Sequence, residues 1–503
     1  MPAPEPTVGR TPRARATTAT VAIALFGTLL TAVGSWQPSY WNDEAASLRL
    51  ARLDPVEILR FVQEKDAVHA VYALLLHWWT AVFGETEFAV RLPSAIAVGE
   101  TEFAVRLPSA IAVGATAAAV FVLLRRLDAP RAALPAAIAV LLLPRAAAAG
   151  LDARSFALAT ACLTWSAVAL VTAARQPSRG RQWVLLALGL AASVALFLYS
   201  ALVLPAFVAW ALCQRTDRRR IAVRTALASA AALAVTSPLV VLAATQRGQV
   251  AWLRDQPVNP WTVGVESVFL DAWWLAAGVL ALLVTTLVVA VRRGRRPGPA
   301  WLLFLLWVTV PTLALVAATV TLGPLFTPRY LTIVVPAVAG LVGSSIAALR
   351  GSWRPVVATA LIALSVPSFL TARGETAKPG GQPLRAVATF VQEHARSGDA
   401  VVFGTTGTVS LRPRIALAAY PAAFAGLDDV AFRSSWTGTG TYSDRLLPRA
   451  ATARAELRHD RVWVLVGNDG TRPGATGAQL LGAGYERVVE RDFGGITVEA
   501  WER

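Results

Sequence analysis

Two carboxylates stand side by side in Trp41-Asn42-Asp43-Glu44-Ala45, and a third acid with a histidine follows in Asp66-Ala67-Val68-His69-Ala70-Val71-Tyr72. Farther along come the turn Asp152-Ala153-Arg154 and the pair Arg329-Tyr330, each beside an apolar run. These residue types suit one kind of chemistry. A carboxylate can take the proton of an attacking hydroxyl. Arginines can grip a phosphate with two hydrogen bonds and stabilise it as it leaves. In a largely apolar chain, charge placed at the mouth of the membrane domain usually serves function. Each residue also has a plainer reading, which the sequence leaves open. Asp43 and Glu44 suit the first turn of a helix, where acids are favoured. Asp66 suits a helix cap, His69 an interfacial histidine, and Asp152 with Arg154 an exposed ion pair. Arg329 suits a snorkelling side chain at a helix end.

The elements that must position these groups are membrane helices. The chain has 503 residues, 55% of them hydrophobic and only 16% charged. Its mean hydropathy is +0.53. A soluble domain carries about a quarter charged residues, so the class is a polytopic α-helical membrane protein. A net charge of +16 raises nucleic acid as a partner. The arginines argue against it, because they fall in short clusters between apolar runs: Arg125-Arg126, 175–181, 215–220, 292–296 and 350–354. That is the pattern of cytoplasmic loops. The wealth of Arg and Ala points to a GC-rich bacterial genome. Cys162 and Cys213 lie in apolar segments and read as small core residues. With four His and no CxxC or HExxH spacing, a zinc site is not expected.

A span needs about 20 apolar residues. Eleven segments qualify: 17–36, 104–124, 132–148, 155–174, 182–198, 200–213, 221–243, 273–291, 300–322, 329–349 and 355–372. The run 182–213 is split near Tyr199-Ser200. Residues 1–16 form a basic N-terminus, expected inside, and the first apolar segment reads as an uncleaved helix, not a signal peptide. With the arginine clusters inside, the first outer loop is 37–103, and the tail from 375 lies outside. Segment 67–83 would break that parity as a span. It is expected instead to lie along the outer surface, with His77, Trp78 and Trp79 as interface anchors. Trp252, Trp261, Trp273 and Trp274 are read the same way, with an acceptor contact for Trp252 as the other reading.

The tail, 375–503, alternates helical and strand patterns. A helix is expected over 384–396, strands over 400–403 and 461–466, a short helix over 479–484, and a hairpin over 486–501 around Gly494-Gly495. Such alternation predicts a small α/β domain.

One oddity lies beside the acidic loop. Residues 84–98 read GETEFAVRLPSAIAV, and residues 99–113 repeat those letters without a change. Such a copy reads as a recent duplication or an assembly error. Fifteen helical residues would add about 22 Å and turn the face by about 60°. One copy is therefore expected to pack and the other to bulge outward, with Arg91 and Arg106 competing for one role.

At these residues the chain resembles the GT-C superfamily of membrane glycosyltransferases, nearest to the family 39 and Rgt-like mannosyltransferases and the aminoarabinose transferases. The likeness covers roughly residues 17–350. It rests on Asp43-Glu44 after the first span and on Asp66…His69…Tyr72 running into Leu-Leu-Leu-His-Trp. It also rests on Phe83-Gly84, Arg91-Leu92-Pro93-Ser94, Asp152-Ala153-Arg154-Ser155-Phe156, and Arg329-Tyr330-Leu331. Where the family often has His-Pro, this chain has His69-Ala70. The resemblance implies an inverting transferase that moves a sugar, most often mannose, from a polyprenyl-phosphate donor. The acceptor is a glycan, lipid or protein of the envelope, and the site faces outward from a bacterial plasma membrane. Asp43 is then the catalytic carboxylate and Glu44 its partner. Asp66, His69 and Asp152 line the substrate pocket, and Arg154 and Arg329, with Tyr330 beside it, meet the phosphate. Some relatives use a divalent cation near the acids, which makes Asp43 and Glu44 its candidate ligands. Two other functions compete: a lipid or glycan transporter or flippase, and a non-catalytic envelope scaffold. Charge confined to helix ends, without an internal inverted repeat, argues against a transporter.

Overall fold

The computed structural model describes residues 12–83, 100–294, 298–405, 411–437, 441–467 and 474–503. Contacts divide the chain into two compact units, Met1–Val33 with Arg106–Phe369, and Gly34–Val105 with Leu370–Arg503. The outer loop expected over 37–103 thus groups with the tail and not with the helices that flank it in sequence.

The first unit is helical throughout. It opens with α1 (Pro12–Ala32). The chain then passes through α2 (Asn42–Ala51), α3 (Pro55–Glu64) and α4 (Ala70–Phe83), all of the second unit. It continues through α5 (Glu100–Arg126), α6 (Pro130–Leu142), α7 (Pro144–Gly150), α8 (Phe156–Arg175), α9 (Gly180–Leu196), α10 (Leu204–Leu212) and α11 (Arg218–Thr245). A single turn, α12 (Ser267–Phe269), precedes α13 (Trp273–Arg292), α14 (Pro299–Leu322), α15 (Val335–Ala348) and α16 (Trp353–Thr371).

Among the described residues, seven helices are long and apolar enough to cross a membrane: α5, α8, α11, α13, α14, α16, and α15 with the turn before it. The pair α6 and α7 makes an eighth only as a broken span, bent by 62°. The straight span expected over 132–148 is therefore corrected. Its cause is Pro144, which lacks an N–H and drives Leu143 into extended backbone (φ −68, ψ 123). Three shorter apolar helices, Ala16–Ala32, Gly180–Leu196 and Leu198–Leu212, account for the rest of the eleven segments. The expected split at Tyr199-Ser200 is real: Phe197 is extended, and a 3-10 turn, Leu198–Val203, leads into α10.

Lipid chains are as apolar as Leu, so helices gain by close contact of small residues. A Cβ on Gly343 of α15 would fall 2.5 Å from the Cβ of Ala136 on α6. One on Gly114 of α5 would fall 2.4 Å from the carbonyl of Ala24 on α1.

In the second unit, Asp54 caps α3, accepting from the Val56 and Glu57 N–H groups at 2.8 and 2.9 Å, and Pro55 fixes the first helical φ. At 14 residues α4 is about 21 Å long, short of the roughly 30 Å of a bilayer core. Its exposed positions include Leu75, Trp78 and Val82. Two of the three expected anchors face inward instead. The His77 Nδ1 lies 2.9 Å from the Ala51 carbonyl, and Trp79 Nε1 donates to Ala104.

The tail is an α/β domain. β1 (Ala400–Phe403) lies between β2 (Asp428–Asp429) and β5 (Arg461–Gly467), parallel to both. β5 then pairs antiparallel with β7 (Ile496–Glu502), which pairs antiparallel with β6 (Glu486–Asp492), giving the order β2-β1-β5-β7-β6. A separate ribbon joins β3 (Phe432–Ser434) to β4 (Arg445–Leu446). β5 is apolar on both faces because both faces are covered. Trp463 and Leu465 meet α17 (Leu384–His394), whose Leu384, Val387 and Val391 are its apolar stripe. Val462, Val464 and Val466 meet Leu480, Tyr485 and Trp501 on the other side. Three short helices complete the domain: α18 (Ile415–Ala419), α19 (Arg449–Glu456) and α20 (Gly474–Gly482).

The second copy of the repeated peptide is built into α5. Glu102 and Arg106 are both wholly buried, and Ser109 donates to the Asp152 carbonyl at 2.7 Å. The first copy, with Arg91, lies outside the described residues.

Candidate active site

The expected residues divide between the units. Asp43, Glu44, Asp66 and His69 belong to the second, and Asp152, Arg154, Arg329 and Tyr330 to the first.

In the second unit the two acids have different neighbours. Both sit in the first turn of α2, which no side chain caps at Trp41. Successive helical residues point about 100° apart, so neighbours in sequence face different surroundings. Glu44 is wholly buried, with Lys378 Nζ 3.5 Å from its Oε1. Asp43 is half-buried, and the Asn42 amide reaches its Oδ1 at 3.4 Å. Glu44 thus anchors the helix that presents Asp43. The far end of α2 is anchored too: Arg49 lies 3.0 Å from Asp444 and donates to the Tyr442 carbonyl.

Asp66 adopts left-handed backbone (φ 60, ψ 35) and starts the turn Ala67–His69. Only a few non-glycine residues take that conformation, Asp more readily than most, and strained backbone concentrates at functional sites. Its carbonyl accepts from the His69 N–H at 2.8 Å, while its side chain makes no cap.

In the first unit a polar cluster gathers around an arginine that the sequence reading overlooked. Arg145, at the start of α7, donates from Nε to the Ser267 carbonyl (2.9 Å) and from its guanidinium to the Glu266 carbonyl (2.7 Å). Glu266, Arg329, Asp271 and Asp152 all act on it electrostatically. Asp152 and Arg154 close a tight turn, the Arg154 N–H donating to the Asp152 carbonyl at 2.8 Å, and Arg154 is buried. Arg329 lies in a 3-10 turn, Pro328–Val334, with its guanidinium 5.3 Å from the Trp252 ring. That contact gives Trp252 a role beyond an interface belt. Tyr330 packs on Tyr199 (centroids 4.5 Å apart), whose hydroxyl donates to the Leu325 carbonyl. Burial pushes the Glu266 carboxyl up, against the pull of Arg145. Leu270 beside this cluster has φ 53 and ψ −129, a conformation that suits glycine.

The sequence did carry a signal for Arg145: a charge inside an apolar run, directly after a proline. Among the described residues, no group of three or more His, Cys, Asp and Glu side chains is placed to hold a metal ion.

Comparison with known proteins follows this geometry. The structure superposes on the crystal structure of ArnT from Cupriavidus metallidurans bound to undecaprenyl phosphate with a TM-score of 0.60, covering 96% of this chain and 97% of that one at 13% identity. The apo form of the same protein gives 0.58, with 96% and 98% covered, again at 13% identity. The fold is that of ArnT. Residues 97–242 also match the family of dolichyl-phosphate-mannose-protein mannosyltransferases. No curated protein sequence matches the chain. The likeness runs over nearly the whole length, so it covers the helices of the first unit and the α/β domain alike.

Proposed function

We infer that this chain is an inverting glycosyltransferase that moves a sugar from a polyprenyl-phosphate donor to an envelope acceptor at the outer face of the plasma membrane. The observation that carries this reading is the cluster of Arg145, Arg329 and Asp152 in one unit of a fold shared with a protein crystallised with undecaprenyl phosphate. A set of guanidiniums withdrawn in part from solvent is what a departing lipid phosphate requires. The match of residues 97–242 to a mannosyltransferase family supports mannose as the sugar.

The reaction is a single displacement. Asp43 takes the proton of the acceptor hydroxyl as its oxygen bonds to the anomeric carbon. The bond from that carbon to the phosphate oxygen breaks, and the negative charge passes to the polyprenyl phosphate. Arg145, Arg154 and Arg329 stabilise that charge, while Trp252 holds Arg329 in place. Asp66 and His69 line the substrate pocket, and Glu44 with Lys378 fixes the helix that carries Asp43.

The test is transfer of radiolabelled mannose from a polyprenyl-phosphate donor into membrane fractions. Intact protein is expected to label an acceptor and Asp43→Asn to abolish it. Equal labelling by the two would sink the assignment of Asp43, and no labelling by the intact chain would favour a transporter or scaffold.

A further inference from the structure

A second concentration of charge plays no part in that reaction. The loop before α11 ends at Asp217, in left-handed backbone (φ 50, ψ 20), and the helix then opens with Arg218-Arg219-Arg220 and no acid in its first turn. All three arginines are exposed, and no ion pair to them occurs among the described residues. Like charges crowded at the positive end of a helix dipole raise the energy of the folded chain. One turn on, Arg224 is held in place, its guanidinium 5.9 Å from the Trp183 ring and donating to the Pro177 carbonyl. These four arginines, with Asp217, Val223 and Leu227, line a cavity of about 730 Å³. Four guanidiniums there face one carboxylate.

The same helix continues as an apolar track. Val223 and Leu227 are 50% and 63% exposed, at the i, i+4 spacing that keeps them on one face with the arginines above. A charged head over an apolar strip has the shape of an amphiphile. Free phosphate would use the arginines and leave the strip bare. A zwitterionic lipid would bring its own cation to four guanidiniums.

We propose that this cavity binds the headgroup of an anionic phospholipid, with its phosphate bridged by Arg219 and Arg220, Arg218 adding to the positive field beside them, and an acyl chain lying along Val223 and Leu227. Arg224, pinned by Pro177 and Trp183, closes the site from below the headgroup. The lipid cancels the repulsion at the start of α11 and so stabilises the membrane unit.

The test uses the full chain in detergent, with dioleoylphosphatidylglycerol, dioleoylphosphatidylcholine or inorganic phosphate added. Native mass spectrometry counts retained lipid, and a melting curve reads stabilisation. Phosphatidylglycerol is expected to be retained and to raise the melting temperature, and high salt to reverse both. The triple variant R218Q/R219Q/R220Q should lose affinity by about fivefold per guanidinium, on the order of a hundredfold in all. The variant R218K/R219K/R220K, which keeps the charge, should retain most of it. Equal retention of phosphatidylcholine, full stabilisation by inorganic phosphate alone, or indifference to salt would each overturn the proposal. The salt titration needs only the unmodified protein, so a variant that fails to fold leaves the test intact.

Discussion

The carboxylate of Glu44 lies 3.5 Å from the ammonium of Lys378, and Glu44 has no exposed surface at all. Removing one partner of such a pair leaves the other charge buried and uncompensated, at a cost of about 3–5 kcal/mol. Glu44→Gln is therefore expected to lower the melting temperature of the purified protein sharply. Asp43→Asn, one residue away and half-buried, should abolish transfer while leaving the melting curve nearly unchanged. Melting curves and transfer assays on the two variants, run together, check this; the opposite pattern would exchange the roles given to the two acids.

The duplicated peptide makes a second asymmetry. Tyr420 donates to Glu102 at 2.6 Å, and Arg385 Nε lies 3.4 Å from the same carboxylate. Glu87 is the letter-for-letter counterpart of Glu102. Glu102→Gln should destabilise the second unit by about 3 kcal/mol, since a buried charge pair is broken, and Glu87→Gln should do almost nothing. Deleting residues 84–98 should leave expression and melting intact. Equal damage from the two substitutions would show that both copies are in use.

Tyr420 also predicts a response to alkali. Burial, and then the charge of Glu102, push its phenol well above the ordinary value of 10.0. A raised pKa means that the folded state holds the proton more tightly than the unfolded chain. The stability from the neutral phenol is fully present below about pH 10, and it is lost as pH rises through the folded value. Unfolding against pH should steepen above about pH 10 in the intact protein, and Tyr420→Phe should flatten that limb. A difference between the two proteins that appears only near neutral pH would contradict the linkage.

Arg329 should matter for chemistry more than for folding. Arg329→Gln is expected to reduce kcat by roughly a hundredfold, the scale seen when one preorganised donor to a developing anion is removed. Arg329→Lys should recover part of it, since the charge returns without the planar fork that meets phosphate and stacks on Trp252. A loss confined to acceptor KM would place Arg329 on the acceptor side instead.

Much of this architecture is legible in the sequence for a simple reason. Apolar runs separated by arginine clusters mark spans, because the bilayer admits little else. The tail was legible through period: Leu384 to His394 repeats like a helix, and Arg461 to Gly467 reads as an apolar strand. What escaped was short or bent. Strands β2 and β4 have two residues each, too few to show alternation. The bend between α6 and α7 hides from hydropathy because Pro144 is itself apolar, and Arg145 was hidden with it. The site was half legible. Asp43, Asp66, Asp152, Arg154 and Arg329 announce themselves by type, but which of Asp43 and Glu44 faces a lysine depends on Lys378, far away in the chain.

The repeat carries a consequence for inheritance. Two identical peptides face unequal selection once the Glu102, Arg106 and Ser109 of one are buried or hydrogen-bonded in the fold. Mutations at those three positions are costly. Perfect identity between the copies fits a recent duplication or an assembly error. In descendants of this chain the copies should drift apart one-sidedly, with residues 84–98 changing or vanishing first and residues 99–113 keeping their letters.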